Sequence, residues 1–202
     1  MRMLTLAFLF FAQAQTYPMP FERAGTAKLL ANDRVDVWDI TWLKQAYPTH
    51  RHIYDFAGVY YTSGDRIIVS EQGVRSPTSS IAWDTFFLRR GITHSEEGAS
   101  EQPLRGVFVE FKEPQPLGVV DARMSPPAFP GISGKQLRDS DRVTIWELAP
   151  APGSATPHLH ARDAVIVAFT KLKPRVTFVE RGTIHNDEQI ARADRVFAFE
   201  VK

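Results

Sequence analysis

The chain of 202 residues contains no cysteine. This absence excludes a disulfide-stabilised scaffold, a thiol nucleophile and a zinc site with thiolate ligands. The chain also lacks an excess of charge of either sign, because 24 basic side chains stand against 23 acidic ones. Such a balance provides no basic surface for nucleic acid. With 44% hydrophobic and 23% charged residues, the composition is typical of a globular protein.

Several enzyme motifs are missing as well. The sequence has no Gly-x-Ser-x-Gly elbow that would present a serine nucleophile. It also has no phosphate-binding loop and no dinucleotide-binding fingerprint. The side chains that remain for metal or acid–base chemistry are six histidines and the carboxylates.

A short apolar run stands at the N-terminus. Leu4 to Phe11 follows a basic start at Arg2, and Ala12-Gln13-Ala14 has the small-x-small pattern of a cleavage site. Spanning a bilayer takes about 20 apolar residues, so this run is too short for a membrane anchor. We therefore expect residues 1–14 to be a secretory signal peptide. The mature chain would be exported, to the periplasm or outside the cell, with no membrane contact after signal removal.

The rest of the chain contains a tandem repeat. Three segments of the first half recur in the second half, the first two 108 positions later and the third 91 positions later. They are Arg34–Trp38 with Arg142–Trp146, His50–Asp55 with His158–Asp163, and Arg90–His94 with Arg181–His185. The change of offset places about seventeen extra residues in the first copy, and the polar stretch from Ser70 to Ser80 is the expected position.

Short runs rich in Val, Ile, Phe, Tyr and Trp, separated by Gly, Pro and Asp, predict an all-β protein. A helix is expected only in short pieces such as Thr26 to Asn32. Domains of this kind close a barrel or stack two sheets. We predict two such domains, at 15–112 and 135–202, joined by a proline-rich connector at 113–134.

The histidines form two matched triads with none left over. In a strand, residues two apart point to the same face, so each His-x-His pair projects together. The third histidine of each copy follows a glycine turn that can bring it opposite the pair. The predicted metal ligands are His50, His52, His94, His158, His160 and His185. Three neutral imidazoles on one cation would leave positions for water or substrate. The alternative is a set of hydrogen-bonded core histidines.

These residues resemble the two motifs of the cupin superfamily. The first motif contains His-x-His, as in Pro48–His52 and Pro157–His160, and the second contains a glycine before a histidine, as in Gly91–His94 and Gly182–His185. The resemblance covers nearly all of the mature chain as two copies, a bicupin. It implies two tandem double-stranded β-helix (jelly-roll) barrels, with a metal inside each.

One departure from the family concerns its metal-binding glutamate. The nearest acids after the His-x-His pairs are Asp55 and Asp163, which stand at an odd step from the first histidine and should point away from the pocket. They are candidates for pairing with arginine or for orienting a histidine. Other acids follow the third histidines, namely Glu96, Glu97, Asp187 and Glu188. An even step favours Glu96 and Asp187 as pocket-facing, and the alternative is that all four are solvated turn acids.

Three function classes remain open. The first is a metal-dependent enzyme on a small polar molecule, with oxygenase-like or isomerase-like chemistry and Glu96 or Glu97 as the catalytic acid or base. The second is a non-catalytic module that binds a small ligand, with structural metal or none. The third is a scaffold for assembly, and this class is compatible with a homo-oligomer. Histidine ligands suit divalent Zn, Fe, Mn, Ni or Cu, so the ligand set does not choose the metal.

The signal-peptide hypothesis predicts that protein purified from an exporting host begins at Gln15. Intact-mass measurement should show the loss of residues 1–14. Replacing the small residue at the cleavage site, Ala14→Arg, should block that loss, because signal peptidase requires a small side chain there. Exported wild-type protein that still carries Met1 would contradict the hypothesis.

Overall fold

A computed structural model of the chain describes residues 16–112, 133–149, 157, 159–186 and 190–202. The predicted signal peptide, residues 113–132 of the predicted connector, and the candidate residues His158, Asp187 and Glu188 lie outside the described residues. In the described part of the chain, no helix is long and apolar enough to cross a membrane.

The first half is built from strands in two antiparallel sheets. Their order is β1-β2-β9-β4-β7 in one sheet and β3-β8-β5-β6 in the other. The strands are β1 (Thr26–Ala31), β2 (Val35–Trp42), β3 (His50–Arg51), β4 (Asp55–Tyr60), β5 (Gly64–Ser70), β6 (Arg75–Ser80), β7 (Thr85–Leu88), β8 (Thr93–Gly98) and β9 (Leu104–Phe111).

The second half repeats the larger of these sheets. Its order is β10-β11-β14-β12-β13, and every pairing in it is antiparallel. The strands are β10 (Ser133–Asp139), β11 (Val143–Ala149), β12 (Ala164–Thr170), β13 (Lys173–Val179) and β14 (Arg195–Val201). The described residues therefore confirm the all-β prediction. The first strand begins at Ser133, inside the last two residues of the predicted connector.

The short helix expected at Thr26 to Asn32 is wrong. Thr26–Ala31 is the edge strand β1, paired antiparallel with β2, for example Ala27 with Asp39. The Asn32 side chain accepts hydrogen bonds from the backbone N–H groups of Arg34 and Val35 at 2.8 Å, which fixes the turn between the two strands. Pairing with a neighbouring strand overrides the weak helical preference of a six-residue segment.

Apolar side chains form three layers, because the two large sheets pack back to back. One cluster fills the interior of the first half and includes Trp42 and Phe108, and another fills the second half and includes Ile166 and Ile190. The third lies between the large sheets and contains side chains from both halves. The side chains of β2 accordingly point in turn to the interior of the first half, as Trp38 does, and to the interface between the large sheets, as Val37 does. Both faces of the strand are buried.

Two ion pairs cross the interface in a reciprocal way. Arg34 Nε of the first half lies 3.3 Å from Asp163 Oδ2 of the second half, and Arg142 Nε of the second half lies 3.6 Å from Asp55 Oδ2 of the first. Because Arg142 and Asp163 are the repeat equivalents of Arg34 and Asp55, the same contact is made in both directions. The interface therefore resembles that of a two-fold symmetric dimer.

The Arg34→Met variant should lower the free energy of unfolding by about 2 kcal/mol, because it removes a cation from the buried Asp163 carboxylate. Urea titration at neutral pH measures this change. The matched control is Lys44→Met, which removes an ion pair between exposed partners, Lys44 and Glu101. The control should change stability by less than about 1 kcal/mol. Equal effects of the two variants would contradict a stabilising interface pair.

A buried Trp–Glu hydrogen bond also recurs in both halves. Trp38 Nε1 donates to Glu110 Oε2 at 2.8 Å, and Trp146 Nε1 donates to Glu200 Oε2 at 3.3 Å. Burial raises the pKa of Glu110 to about 7, partly countered by the bond from Trp38. Since the unfolded carboxyl ionises near its ordinary pKa of 4.5, the folded state is penalised as pH rises from 4.5, and the penalty is complete above pH 7.

Replacing this carboxyl by an amide, Glu110→Gln, should therefore stabilise the protein at pH 8 by about 3 kcal/mol relative to the wild type and have little effect at pH 4. The amide oxygen can still accept the Trp38 hydrogen bond. Urea titrations at both pH values give the comparison, with the exposed Glu22→Gln as a control that should stay within a few tenths of a kcal/mol. A pH-independent effect of Glu110→Gln would be the contrary result.

The extra residues of the first copy form the β5–β6 hairpin. Where the first copy has strands β5 and β6 between β4 and β7, the second copy joins β12 to β13 by a tight turn at Lys171 and Leu172, which have φ values of 49° and 58°. The hairpin spans 64–80, so it is longer than the stretch from Ser70 to Ser80 that the sequence predicted.

Candidate metal centre

Three of the predicted ligands come together in the first half. His50 on β3 pairs directly with His94 on β8, and His52 follows two residues after His50 on the same side of the chain. One ring nitrogen of each histidine lies within 4.8 Å of those of the other two. His50 and His52 are buried, and His94 is partly exposed.

Backbone contacts around Gly91 hold the two ligand-bearing segments together. Gly91 N–H donates to His52 O at 2.7 Å, and His52 N–H donates to Ile92 O at 2.9 Å. Gly91 has a φ of 94°, in the left-handed region that a side chain disfavours. The glycine of the sequence motif therefore serves the turn that leads His94 back towards His52.

Burial keeps the three imidazoles neutral. Desolvation, together with smaller effects of the neighbouring His50 and His94, lowers the pKa of His52 to about 2. Desolvation likewise lowers the pKa of His94 to about 4, against an opposing effect of Glu96. The pKa of His50 is also lowered, again mainly by burial. Neutral imidazole is the form that binds a metal ion.

The hydrogen bonding of His50 fits the role of a metal ligand. Its Nδ1 lies 3.0 Å from Pro48 O, which selects the tautomer that donates from Nδ1. The lone pair of Nε2 is then free, and Nε2 is buried with no hydrogen-bond partner in the described part of the chain. A cation held by His50, His52 and His94 would satisfy this nitrogen.

The two candidate acids on β8 point to different surroundings. Glu96 is buried, accepts a hydrogen bond from Trp42 Nε1 at 2.9 Å and lines the cavity beside the histidines. Although burial raises its pKa, Arg66, His94 and the Trp42 bond lower it more, so its pKa lies below the usual range. Glu97 instead makes two 2.6 Å hydrogen bonds with the exposed Arg75. The structure brings Glu96 to the cavity and leaves Glu97 outside it.

Asp55 and Asp163 point away from the histidines, as their odd step predicts. Asp55 Oδ1 accepts a hydrogen bond from Arg90 N–H at 2.8 Å, and Asp163 Oδ1 accepts one from Arg181 N–H at 3.0 Å. Each carboxylate thus fixes the turn before the third histidine of its own copy. Each carboxylate also forms an ion pair with an arginine of the other half across the interface.

A cavity of about 250 Å³ lies beside His52 and His94. Sequence reasoning missed most of its wall. The aromatic lining residues are Phe21, Phe56, Tyr60, Phe86 and Phe108, and Arg66 joins them. Phe21 comes from the segment before β1 and packs its ring 5.5 Å from that of His52. No repeat or motif marks Phe21, and Arg66 lies in the hairpin that the second copy lacks.

The second half brings two of its three predicted ligands together. His160 Nε2 lies 3.0 Å from His185 Nε2, as His52 Nε2 lies 3.4 Å from His94 Nε2 in the first half. Gly182 N–H donates to His160 O at 2.9 Å, which repeats the contact of Gly91. A cavity of about 320 Å³ opens beside His185.

Comparison with known proteins gives matches among solved structures. The chain is similar to AerE from Microcystis aeruginosa, with a TM-score of 0.57 and 11% identity over 93% of this chain and 99% of that one. It is also similar to a cupin 2 conserved barrel domain protein from Leptotrichia buccalis, with a TM-score of 0.50 and 14% identity over 88% of each chain. No family model and no curated protein matches the chain.

Such low identities establish the fold alone. The chain has the fold of the cupin superfamily, and the likeness extends over both halves, in agreement with two jelly-roll barrels in tandem. The fold class inferred from the sequence is therefore confirmed.

Proposed function

We propose that this protein is an exported bicupin that binds a divalent metal through its histidine triads and acts as a metal-dependent enzyme on a small molecule. The observation that carries the proposal is the convergence of ring nitrogens from His50, His52 and His94 within 4.8 Å. The second triad, His158, His160 and His185, would hold a second ion. The predicted signal peptide at residues 1–14 supports export.

In this function, the residues of the chain would have the following roles. The three neutral imidazoles would hold the ion, which would supply a Lewis acid beside the cavity. Asp55, through the Arg90 backbone, keeps the turn that positions His94. The aromatic wall excludes water from the cavity, and Glu96, ionised and facing the cavity, is the carboxylate available to accept a proton or a hydrogen bond. Glu97 has no place in this site.

A non-catalytic ligand-binding module is the second candidate. It is favoured by the contacts of Glu96 with Trp42, Arg23 and Arg66. They keep the carboxylate of the described cavity lining ionised, so that it has no proton to donate as a general acid. The two candidate functions differ in whether a bound compound is converted. Compounds that raise the melting temperature of the metal-loaded protein but are never converted would favour the binding module, and conversion would favour the enzyme.

The metal hypothesis predicts about one divalent ion per intact triad in the purified protein, measured by elemental analysis. His52→Ala should remove the ion of the first barrel, and His52→Ala combined with His160→Ala should remove both. Arg51→Ala is the matched control, because Arg51 lies between His50 and His52 in the chain but is exposed. Chelation should lower the melting temperature of the wild type and of Arg51→Ala, since an ion bound only by the folded state adds stability by mass action.

Two results would overturn this hypothesis. One is protein that takes up no metal even after reconstitution with each candidate ion. The other is a melting temperature that does not respond to chelation in wild type, in which case the triads hold no ion that matters to the fold.

A further inference from the structure

Beside the first cavity, two buried guanidinium groups surround a single buried carboxylate. Arg23 Nη2 lies 3.6 Å from Glu96 Oε2, and Arg66 Nε lies 3.5 Å from Glu96 Oε1. The exposed fractions of these three side chains are 6%, 10% and 7% for Arg23, Arg66 and Glu96. Buried charges are normally paired. Two guanidinium groups around one carboxylate leave this site one negative charge short.

Of the two arginines, Arg66 is the one that lines the cavity. Its Nε lies towards Glu96, whereas its Nη1 is buried without a hydrogen-bond partner in the described residues. The residue as a whole is 9% exposed. The rings of Trp42 and Tyr60, with centroids 5.0 Å and 5.3 Å from its Cζ, hold the guanidinium in place. A fixed guanidinium with free donors is suited to a carboxylate.

The remaining wall of the cavity is mostly apolar. Phe56, Phe86 and Phe108 stand together, with ring centroids of Phe86 and Phe108 4.6 Å apart. Ile68 and Leu88 complete this side. The volume of about 250 Å³ lies below the range of pockets that take drug-sized ligands. The cavity therefore fits a small molecule with an apolar, flat body.

The arginine belongs to the first barrel alone. Arg66 and Ile68 are on β5, in the hairpin at 64–80 that the second copy replaces with a tight turn. The lining of the second barrel's cavity, so far as the chain is described there, includes Glu180 and His185 and no arginine or lysine. The insertion thus gives the first cavity a cationic group that the described lining of the second cavity lacks.

We infer that the first barrel binds a small organic anion, with its carboxylate paired to Arg66 and its aromatic or alicyclic body against Phe56, Phe86 and Phe108. The inference deepens the proposed function by naming the ligand class of the same site. The anion contact itself requires no metal, so it can be tested separately from metal binding.

The test compares benzoate with its neutral counterpart benzamide, using the full mature chain freed of metal by chelation and isothermal titration calorimetry. Benzoate should bind at least about tenfold more tightly, because only the anion forms charge-assisted hydrogen bonds with the guanidinium. Absence of benzoate binding, or equal affinities for the two compounds, would overturn the inference.

Substitutions test whether the preference for benzoate depends on Arg66. Arg66→Met should abolish the preference for benzoate, and Arg66→Gln, which keeps a hydrogen-bond donor beside Glu96, should do the same if the methionine variant does not fold. Arg75→Met is the matched control on the same hairpin, because Arg75 is exposed and pairs with Glu97. The control should keep the preference. A preference that survives both Arg66 substitutions would refute the assignment.

The same titrations with reconstituted metal separate the two proposals. A benzoate preference that appears only with metal and persists without Arg66 would mean that the carboxylate binds the ion, which overturns this inference and supports the metal hypothesis. A preference that depends on Arg66 in protein unable to take up metal supports this inference and overturns the metal hypothesis.

Discussion

The antiparallel pairing of β3 with β8 is the contact on which the whole site depends. It is short, since β3 contains only His50 and Arg51, yet it sets His50 directly opposite His94. The Gly91 turn and the Asp55 carboxylate stabilise the approach from the other side. Because each of these contacts involves a backbone group, the positions of the rings are fixed by the fold before any cation arrives, which is the preorganisation that a metal site requires.

Much of this arrangement follows from simple periodicity in the sequence. The two-residue spacing of His50 and His52 predicted that both side chains share a face. Along β8, neighbouring side chains point to opposite faces, so Glu96 lies in the cavity and Glu97 outside it. The internal repeat predicted two similar halves. The prediction for Glu96 succeeds because side chains alternate between the two faces along β8. Asp55 also lies away from the histidines, but as the first residue of β4 and not by alternation along β3.

Other features lie beyond such reasoning. Thr26–Ala31 is a strand only because β2 offers it a pairing edge, which no local pattern reveals. Phe21 and Arg23 reach the first barrel from a segment without periodic character, and their contacts with His52 and Glu96 depend on how the chain crosses the barrel. Arg66 has no counterpart in the second copy, so comparison of the repeats passes over it. The sequence predicted the cluster of His50, His52 and His94 but not the cavity walls around it.

The reciprocal pairing of Arg34 with Asp163 and of Arg142 with Asp55 carries a historical implication. Contacts of that form arise naturally when two identical subunits associate, which suggests that the present molecule descends from a homodimer whose gene duplicated and fused. In a homodimer, any new hairpin would have appeared in both subunits at once. Fusion removes that constraint, so one half can contain the β5–β6 hairpin while the other joins β12 to β13 by a tight turn.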